Sequence, residues 1–196
     1  MKQRGFTIIE IVIVITITAF LLAAVMPSAG AWVRNSRIRT AAESISNGLQ
    51  QARAEAVRQN KPVSFFLVSD SDAMSMSDNC ALSSSSSGWV VAFASPVGKC
   101  ATNRDSFIAV RAPGDTATSL SVVADATTVT FNGFGQVSNA GAITCIKLSV
   151  PSDTSTRTLA IGVQGGGQVR MCDAKVSDAN DPRYCLAPAA PTVGCN

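Results

Sequence analysis

The sequence predicts an α+β protein: one long N-terminal helix, membrane-spanning in its first part, packs on an antiparallel β-sheet or sandwich head held by disulfide bonds. Three observations predict this fold. An apolar run fills positions 6–26, and small apolar residues then recur at helical spacing as far as residue 56. After residue 62 only short β-branched or aromatic runs follow, separated by turn residues, and they are accompanied by six cysteines.

The first element is the apolar run, in which Glu10 is the only charged residue. As a helix it would be roughly 30 Å long, about the thickness of a bilayer's hydrocarbon core. Lys2 and Arg4 precede it, which favours a cytoplasmic location for that end. We therefore expect residues 1–5 to be a leader and residues 6–27 to span the membrane. A secretory signal peptide is the alternative, because the small residues Ala29-Gly30-Ala31 would suit a cleavage site.

A carboxylate inside such a segment costs about 2.5–3.5 kcal/mol on insertion scales, so Glu10 is a candidate functional residue. No cation of the same apolar run is available to compensate it. We expect the compensating charge to come from another molecule.

The second element is an amphipathic helix over residues 28–61. Pro27 should kink the helix without ending it, because the periodicity resumes beyond it. Asn60-Lys61-Pro62 is typical of a helix end. The face opposite the apolar stripe is basic, which indicates a solvated or filament-facing surface, with lipid headgroup contact near residues 34–39 compatible with it. Its charged residues are Arg34, Arg37, Arg39, Arg53, Arg58 and Lys61 against Glu43 and Glu55.

The third part, 62–196, is a β-rich head. Turn residues such as Asn132-Gly133 and Gly165-Gly166-Gly167 separate eight short runs. The expected strands are 63–68, 89–93, 107–111, 120–123, 128–131, 143–150, 158–163 and 168–172. Between the first two, residues 70–88 are expected to form an irregular, mobile surface loop. Its acids Asp70, Asp72 and Asp78 do not fit a calcium-loop pattern, so no metal is expected.

Six cysteines behind a membrane helix indicate an oxidising compartment and allow 15 pairings. Cys80 and Cys100 flank one loop and one strand, and form the favoured bridge. Cys172 and Cys185 enclose a loop near the end of the chain. The remaining pair, Cys145 with Cys195, would then fix the tail.

Composition argues against an enzyme. The chain has no histidine, and it lacks the nucleophile-elbow and phosphate-loop patterns. No cofactor is expected. The net charge is +3, and it falls to +1 without the leader's two cations, so charge alone indicates no polyanionic partner.

The hexapeptide Gly5-Phe6-Thr7-Ile8-Ile9-Glu10 resembles the cleavage signal of type IV prepilins, G-F-T-x-x-E. This resemblance implies that a prepilin peptidase cuts after Gly5 and methylates the new amino group of Phe6. It also implies that Glu10 pairs with the terminal amine of a neighbouring subunit in a filament. Such a pair would make each buried charge much less costly than it is alone.

Residues 49–60 resemble the pattern L-x-x-A-R-x-E-A-x-x-x-N of the GspH/FimT/FimU family of minor pilins and pseudopilins. The resemblance implies a minor pilin that helps prime assembly at the tip of a type IV pilus, with other minor and major pilins as partners. It implies an inner-membrane subunit with a periplasmic head before assembly, and a place in the extracellular fibre afterwards. The alternative within the same architecture is an H-type pseudopilin of a type II secretion system.

A second alternative is a pilus-borne DNA receptor for natural transformation. DNA-binding members similar to this chain carry G-R-x-R, where this sequence reads Gly167-Gln168-Val169-Arg170. One arginine in place of two is a weaker phosphate site. The expected contacts of this alternative are Arg170, Lys175 and Arg183.

Overall fold

The computed structural model describes residues 7–71, 74–114, 120–151, 153 and 156–185, and it describes residues 24–29 without their side chains. One helix is followed by nine short strands and a 3-10 turn within these residues. In chain order they are α1 (Ile8–Gln59), β1 (Val63–Ser69), β2 (Ala81–Leu82), β3 (Gly88–Ala92), the 3-10 turn Arg104–Ser106, β4 (Ala109–Arg111), β5 (Ser121–Ala124), β6 (Thr128–Phe131), β7 (Cys145–Ser149), β8 (Leu159–Val163) and β9 (Val169–Asp173).

Helix α1 is continuous through Pro27, so the proline does not end it. At its start the Thr7 side chain accepts a hydrogen bond from the backbone N–H of Glu10. At its end Asn60 adopts the left-handed conformation, and its N–H bonds to the last carbonyls of the helix. Gly133 lies so close that a side chain there would collide with Asn60.

The described helical residues include no stretch with the length and apolarity that a membrane crossing needs. The segment expected to span the membrane, residues 6–27, lies only partly within the described residues. Residue 6 and the side chains of residues 24–27 lie outside them.

The strands form two antiparallel sheets. Sheet A contains β2, β1, β3 and β4 in that order, and β6 pairs with β1. Because β1 pairs with β3 along its whole length, β2 and β6 share the other edge of β1. Sheet B has the order β5-β7-β8-β9. The sheets are linked where the N–H of Val137, after β6, donates to the carbonyl of Gly165 in the β8–β9 turn.

Helix α1 lies against the inner faces of both sheets, and this junction is the main core. The buried stripe of the helix is largely alanine, which allows a close approach to the strands. The helix contributes Ile38, Ala41, Ala42, Ile45, Leu49, Ala52 and Ala56, all buried. Alternation along β1 sends Phe65 and Leu67 into this core, and Phe65 stacks on Trp89 of β3.

The outer face of each sheet carries a smaller cluster that is closed by a disulfide. On sheet A, Phe66 and Val68 pack with Met76 beneath the Cys80–Cys100 bridge. On sheet B, Ala160 packs beneath the Cys172–Cys185 bridge. These bridges therefore hold cover segments that the sheets alone would leave loose.

The expectation of a wholly irregular loop over residues 70–88 is wrong, because this segment contains strand β2 and the buried Met76. The Asp70 carboxylate accepts hydrogen bonds from the N–H and hydroxyl of Ser77. Asp78 accepts from the backbone of Ala101 and Thr102. The two acids fasten the loop to itself and to the disulfide partner segment.

Candidate assembly surface and head groove

The N-terminal part of α1 is an unpaired apolar surface. Every side chain described from residue 7 to residue 23 is exposed, and Ile8 is the extreme at 86%. A run of exposed isoleucine, valine, leucine and phenylalanine of this length is far from the surface of an ordinary soluble domain. It requires a cover that the described residues do not supply.

Glu10 lies on this exposed segment, in the first turn of α1. Within the described residues its carboxylate has no hydrogen-bond or ion-pair partner. The expected cleavage and methylation positions, Gly5 and Phe6, lie outside the described residues.

Of the cysteine pairs expected from spacing, the structure describes Cys80–Cys100 and Cys172–Cys185 as disulfides. Cys195 lies outside the described residues, and so does the expected Cys145–Cys195 pair. Cys145 itself is buried in the outer cluster of sheet B.

The first half of the amphipathic helix is tied to sheet B by polar contacts. Nε of Arg34 lies 2.7 Å from the Asp153 carboxylate in the β7–β8 connection. The backbone N–H of Arg157, in the same connection, donates a hydrogen bond to the Asn35 side-chain oxygen at 2.9 Å. The basic face of the helix is therefore used in part to orient the head.

The second half of the helix is held by Arg53, which meets both sheets. Its Nε donates to the carbonyl of Gly135, in the turn after β6, at 3.0 Å. Gly167, in the β8–β9 turn, approaches so closely that a Cβ would lie 1.8 Å from the Gly135 carbonyl and 3.0 Å from Nε of Arg53. Both glycines have positive φ, 74° and 78°, which suits residues without a Cβ. Helix, sheet A and sheet B therefore converge on one guanidinium.

Beside this junction lies a groove of about 580 Å³ between the helix and the β8–β9 turn, which we call the head groove. Its walls combine guanidinium, amide and aliphatic groups. They are formed by Gln50, Arg53, Ala54, Val57, Arg58, Gly167, Gln168 and Val169. Arg58 is engaged on the helix surface by Glu55, and hydrogen bonds from Arg58 and Gln59 lower the pKa of the Glu55 carboxyl to about 2.

The three cations expected for DNA contact are engaged within the head. Arg170 donates to the carbonyl of Pro182 at 2.7 Å, and Arg183 pairs with Asp181 at 2.7 Å. The hydrogen bond from the Arg183 side chain lowers the pKa of the Asp181 carboxyl to about 2. Lys175 donates from Nζ to the carbonyl of Thr156. The hydrogen bond to Pro182 brings Arg170 next to Arg183, while Lys175 is directed toward the β7–β8 connection.

The side chains of β9 alternate between two environments. Val169 and Met171 pack on the main core, whereas Arg170 is exposed on the other face. No cluster of potential metal ligands occurs among the described residues.

Sequence reasoning missed the head groove and the convergence on Arg53. A signal was present, because Arg53 occupies the arginine position of the pattern recognised over residues 49–60. The pattern does not reveal which distant turns meet that side chain, since Gly135 lies 82 residues away.

Comparison with known proteins identifies two family models. The model described as type II transport protein GspH matches residues 41–167, and the prokaryotic N-terminal methylation motif matches residues 1–26. No curated protein sequence matches the chain.

Among solved structures, the chain is similar to two crystal forms of the type IV minor pilin FimU from Pseudomonas aeruginosa, each at 17% identity. One has a TM-score of 0.49 and covers 71% of this chain and 91% of FimU. The other has a TM-score of 0.46 and covers 68% of this chain and 90% of FimU. The GspH model spans more than half of the 196 residues and includes the helix–sheet junction, so the chain belongs to the GspH family of type IV pilins and pseudopilins.

Proposed function

We propose that this chain is a minor pilin that helps prime assembly at the tip of a type IV pilus together with other pilins. The observation that carries the proposal is the helix segment 7–23, apolar and exposed throughout, joined without a break to a head that is packed by itself. A bundle of like helices from neighbouring subunits is the cover that this geometry suits. Before assembly, the membrane would supply that cover, with residues 6–27 as the anchor.

The proposed sequence of events begins with prepilin peptidase, which cleaves after Gly5 and methylates Phe6 at the inner membrane. The new amine then pairs with Glu10 of a neighbouring subunit. Glu10 is suited to this role because it is exposed on the apolar segment and no described cation approaches it. Two charges that are costly separately in an apolar medium cost much less as a pair.

A second candidate is an H-type pseudopilin of a type II secretion system, favoured by the description of the matching family model. The anchor and the head groove suit both assignments equally. DNA reception is the weaker alternative, because Arg170 and Arg183 are both engaged with other groups of the head.

Removal of the chain from its host tests the proposal. The minor-pilin assignment predicts loss of surface pili by electron microscopy and recovery with the full chain. Normal pili with lost secretion of exoproteins would contradict it in favour of the pseudopilin. Normal pili with lost DNA uptake would contradict it in favour of the DNA receptor.

A further inference from the structure

We propose that the head groove binds a carboxylate-bearing, apolar segment of another protein chain. The inference deepens the proposed function, since in a pilus that chain would be another pilin. The groove is an open cleft whose volume lies in the range of small-ligand sites. It lies at the end of the helix opposite to the apolar segment, so the two surfaces are separate.

Arg53 has no matching anion in the described part of the head. This side chain is half-buried, and no carboxylate of the described residues lies within 4 Å of its guanidinium. One of its N–H groups is used by Gly135, and the side chain lines the groove. A guanidinium has five donors in a planar fork that matches a carboxylate, so Arg53 lacks the partner it would bind best.

The charges around the groove do not balance. Arg58 is already paired with Glu55, so Arg53 leaves the groove with a surplus of one positive charge. A single carboxylate matches this surplus. Gln50 and Gln168 also line the groove. The Gln50 amide donates one hydrogen bond to the Ser46 hydroxyl at 3.3 Å and keeps a second N–H for an anionic oxygen.

Exposed apolar side chains lie in and next to the groove. Phe134 is 84% exposed and immediately precedes Gly135, which packs against Arg53 and Val57. Val57 is also exposed and lines the groove together with Ala54. Phe134 is not among the residues that line the groove, but an exposed aromatic side chain next in sequence to Gly135 is typical of a protein contact. The occupant is therefore expected to carry apolar side chains on either side of its carboxylate.

A symmetric pair of copies fits the groove poorly, because it would bring two like-charged grooves together. Duplex DNA also fits poorly. Its affinity grows with the number of phosphates neutralised, and the groove offers one uncompensated guanidinium. An acidic peptide segment is the occupant that the charge and the apolar rim favour.

The test titrates the full chain, in non-ionic detergent micelles, with the blocked peptide acetyl-Leu-Glu-Leu-amide. The control ligand is acetyl-Leu-Gln-Leu-amide, which has the same shape without the charge. Binding is followed by NMR at the Gly167 N–H and the Gln168 side-chain amide. We expect saturable shifts with the glutamate peptide and at least about tenfold weaker binding of the glutamine peptide, which corresponds to about 1.4 kcal/mol.

Two neighbouring exposed glutamines provide matched variants. Gln50→Glu places a carboxylate on the groove wall next to Arg53, and should abolish peptide binding. Gln51→Glu adds the same charge on the same helix but outside the groove lining, and should leave binding unchanged.

Equal binding of both peptides, equal effects of both variants, or absence of saturation would overturn the proposal. The proposal would also be overturned if the peptide did not bind and a short DNA duplex bound tightly to the parent chain but not to Gln50→Glu. These measurements need no pilus, so their failure would not contradict the minor-pilin assignment. A normal pilus count in the deletion host would contradict that assignment without contradicting peptide binding by the head groove.

Discussion

Nε of Arg53 donates a hydrogen bond to the carbonyl oxygen of Gly135 at 3.0 Å, and Gly167 closes over the same pair of atoms. One side chain of the helix thus fixes a turn of sheet A and abuts a turn of sheet B. Because the N–H of Val137 also bonds to Gly165, the two turns are held together independently of the helix. The contacts among Arg53, Gly135 and Gly167 set the position of the helix relative to the two sheets at this end of the head.

Gly167→Ala should destabilise the head strongly. The left-handed backbone alone costs an L-residue about 1–2 kcal/mol, and the new Cβ would collide with the Gly135 carbonyl. We expect the melting temperature of the full chain in detergent, followed by circular dichroism, to fall by roughly 5 °C or more. The matched control is Gly165→Ala in the same turn, where a Cβ meets nothing within 4 Å. Equal melting temperatures for the two variants would contradict the close-approach argument.

Simultaneous replacement of Cys80 and Cys100 by alanine should lower the free energy of unfolding by about 2–4 kcal/mol, because the unfolded chain loses a constraint. The cover over Phe66 and Val68 should also loosen. Denaturant unfolding gives the free energy, and limited proteolysis reports cleavage between residues 70 and 100. Unchanged stability and unchanged proteolysis would show that the Asp70 and Asp78 hydrogen bonds hold the loop without the bridge.

The pair Glu55–Arg58 predicts a specific acid dependence. Its hydrogen bonds lower the pKa of Glu55 from 4.5 to about 2, so the stabilisation is fully present above pH 4.5 and is lost as the pH falls through about 2. The Arg58 side chain is exposed, so we expect a small effect that salt weakens. Glu55→Gln should flatten the pH dependence of the unfolding free energy in this window. An unaltered profile in the variant would contradict the assignment.

We expect the full chain to bind duplex DNA weakly or not at all at physiological salt. Arg170→Ala should therefore leave the measured DNA affinity unchanged. Arg170 and Arg183 are engaged by Pro182 and Asp181, and Gln168 carries no charge. Electrophoretic mobility shift at two salt concentrations measures this. Lys99→Ala, on a distant exposed loop, is the control for non-specific charge. Salt-sensitive binding that disappears only in Arg170→Ala would restore the DNA-receptor alternative.

The sequence predicted the elements better than their contacts. The helix end at Asn60 and all eight expected strands were predictable, because capping, β-branched runs and turn residues are local signals. Strand β2 was not predicted, since Ala81–Leu82 is only two residues long and depends on pairing with β1. Met76 was missed for a related reason, because the Cys80–Cys100 bridge and the hydrogen bonds of Asp70 together bring its segment over sheet A.

The head groove was beyond prediction because it joins residues far apart in the chain. Gln50 and Gln168 face one cavity only because the β8–β9 turn folds back onto the helix. Periodicity placed Arg53 on a polar face, and no local pattern specified the turns that meet it. Residues at such junctions are recognised once the strand order is known.

Incorporation of Glu10→Ala into fibres tests whether Glu10 pairs with a neighbouring subunit, with Glu43→Ala as the control. Glu43 is an exposed acid on the same helix that pairs with Arg39 and lies outside the apolar segment. We expect Glu10→Ala to be cleaved after Gly5 and to reach the membrane like the parent chain. An immunoblot of sheared pili should nevertheless lack Glu10→Ala, whereas Glu43→Ala should be present. Normal incorporation of Glu10→Ala would contradict the charge-pairing account of assembly.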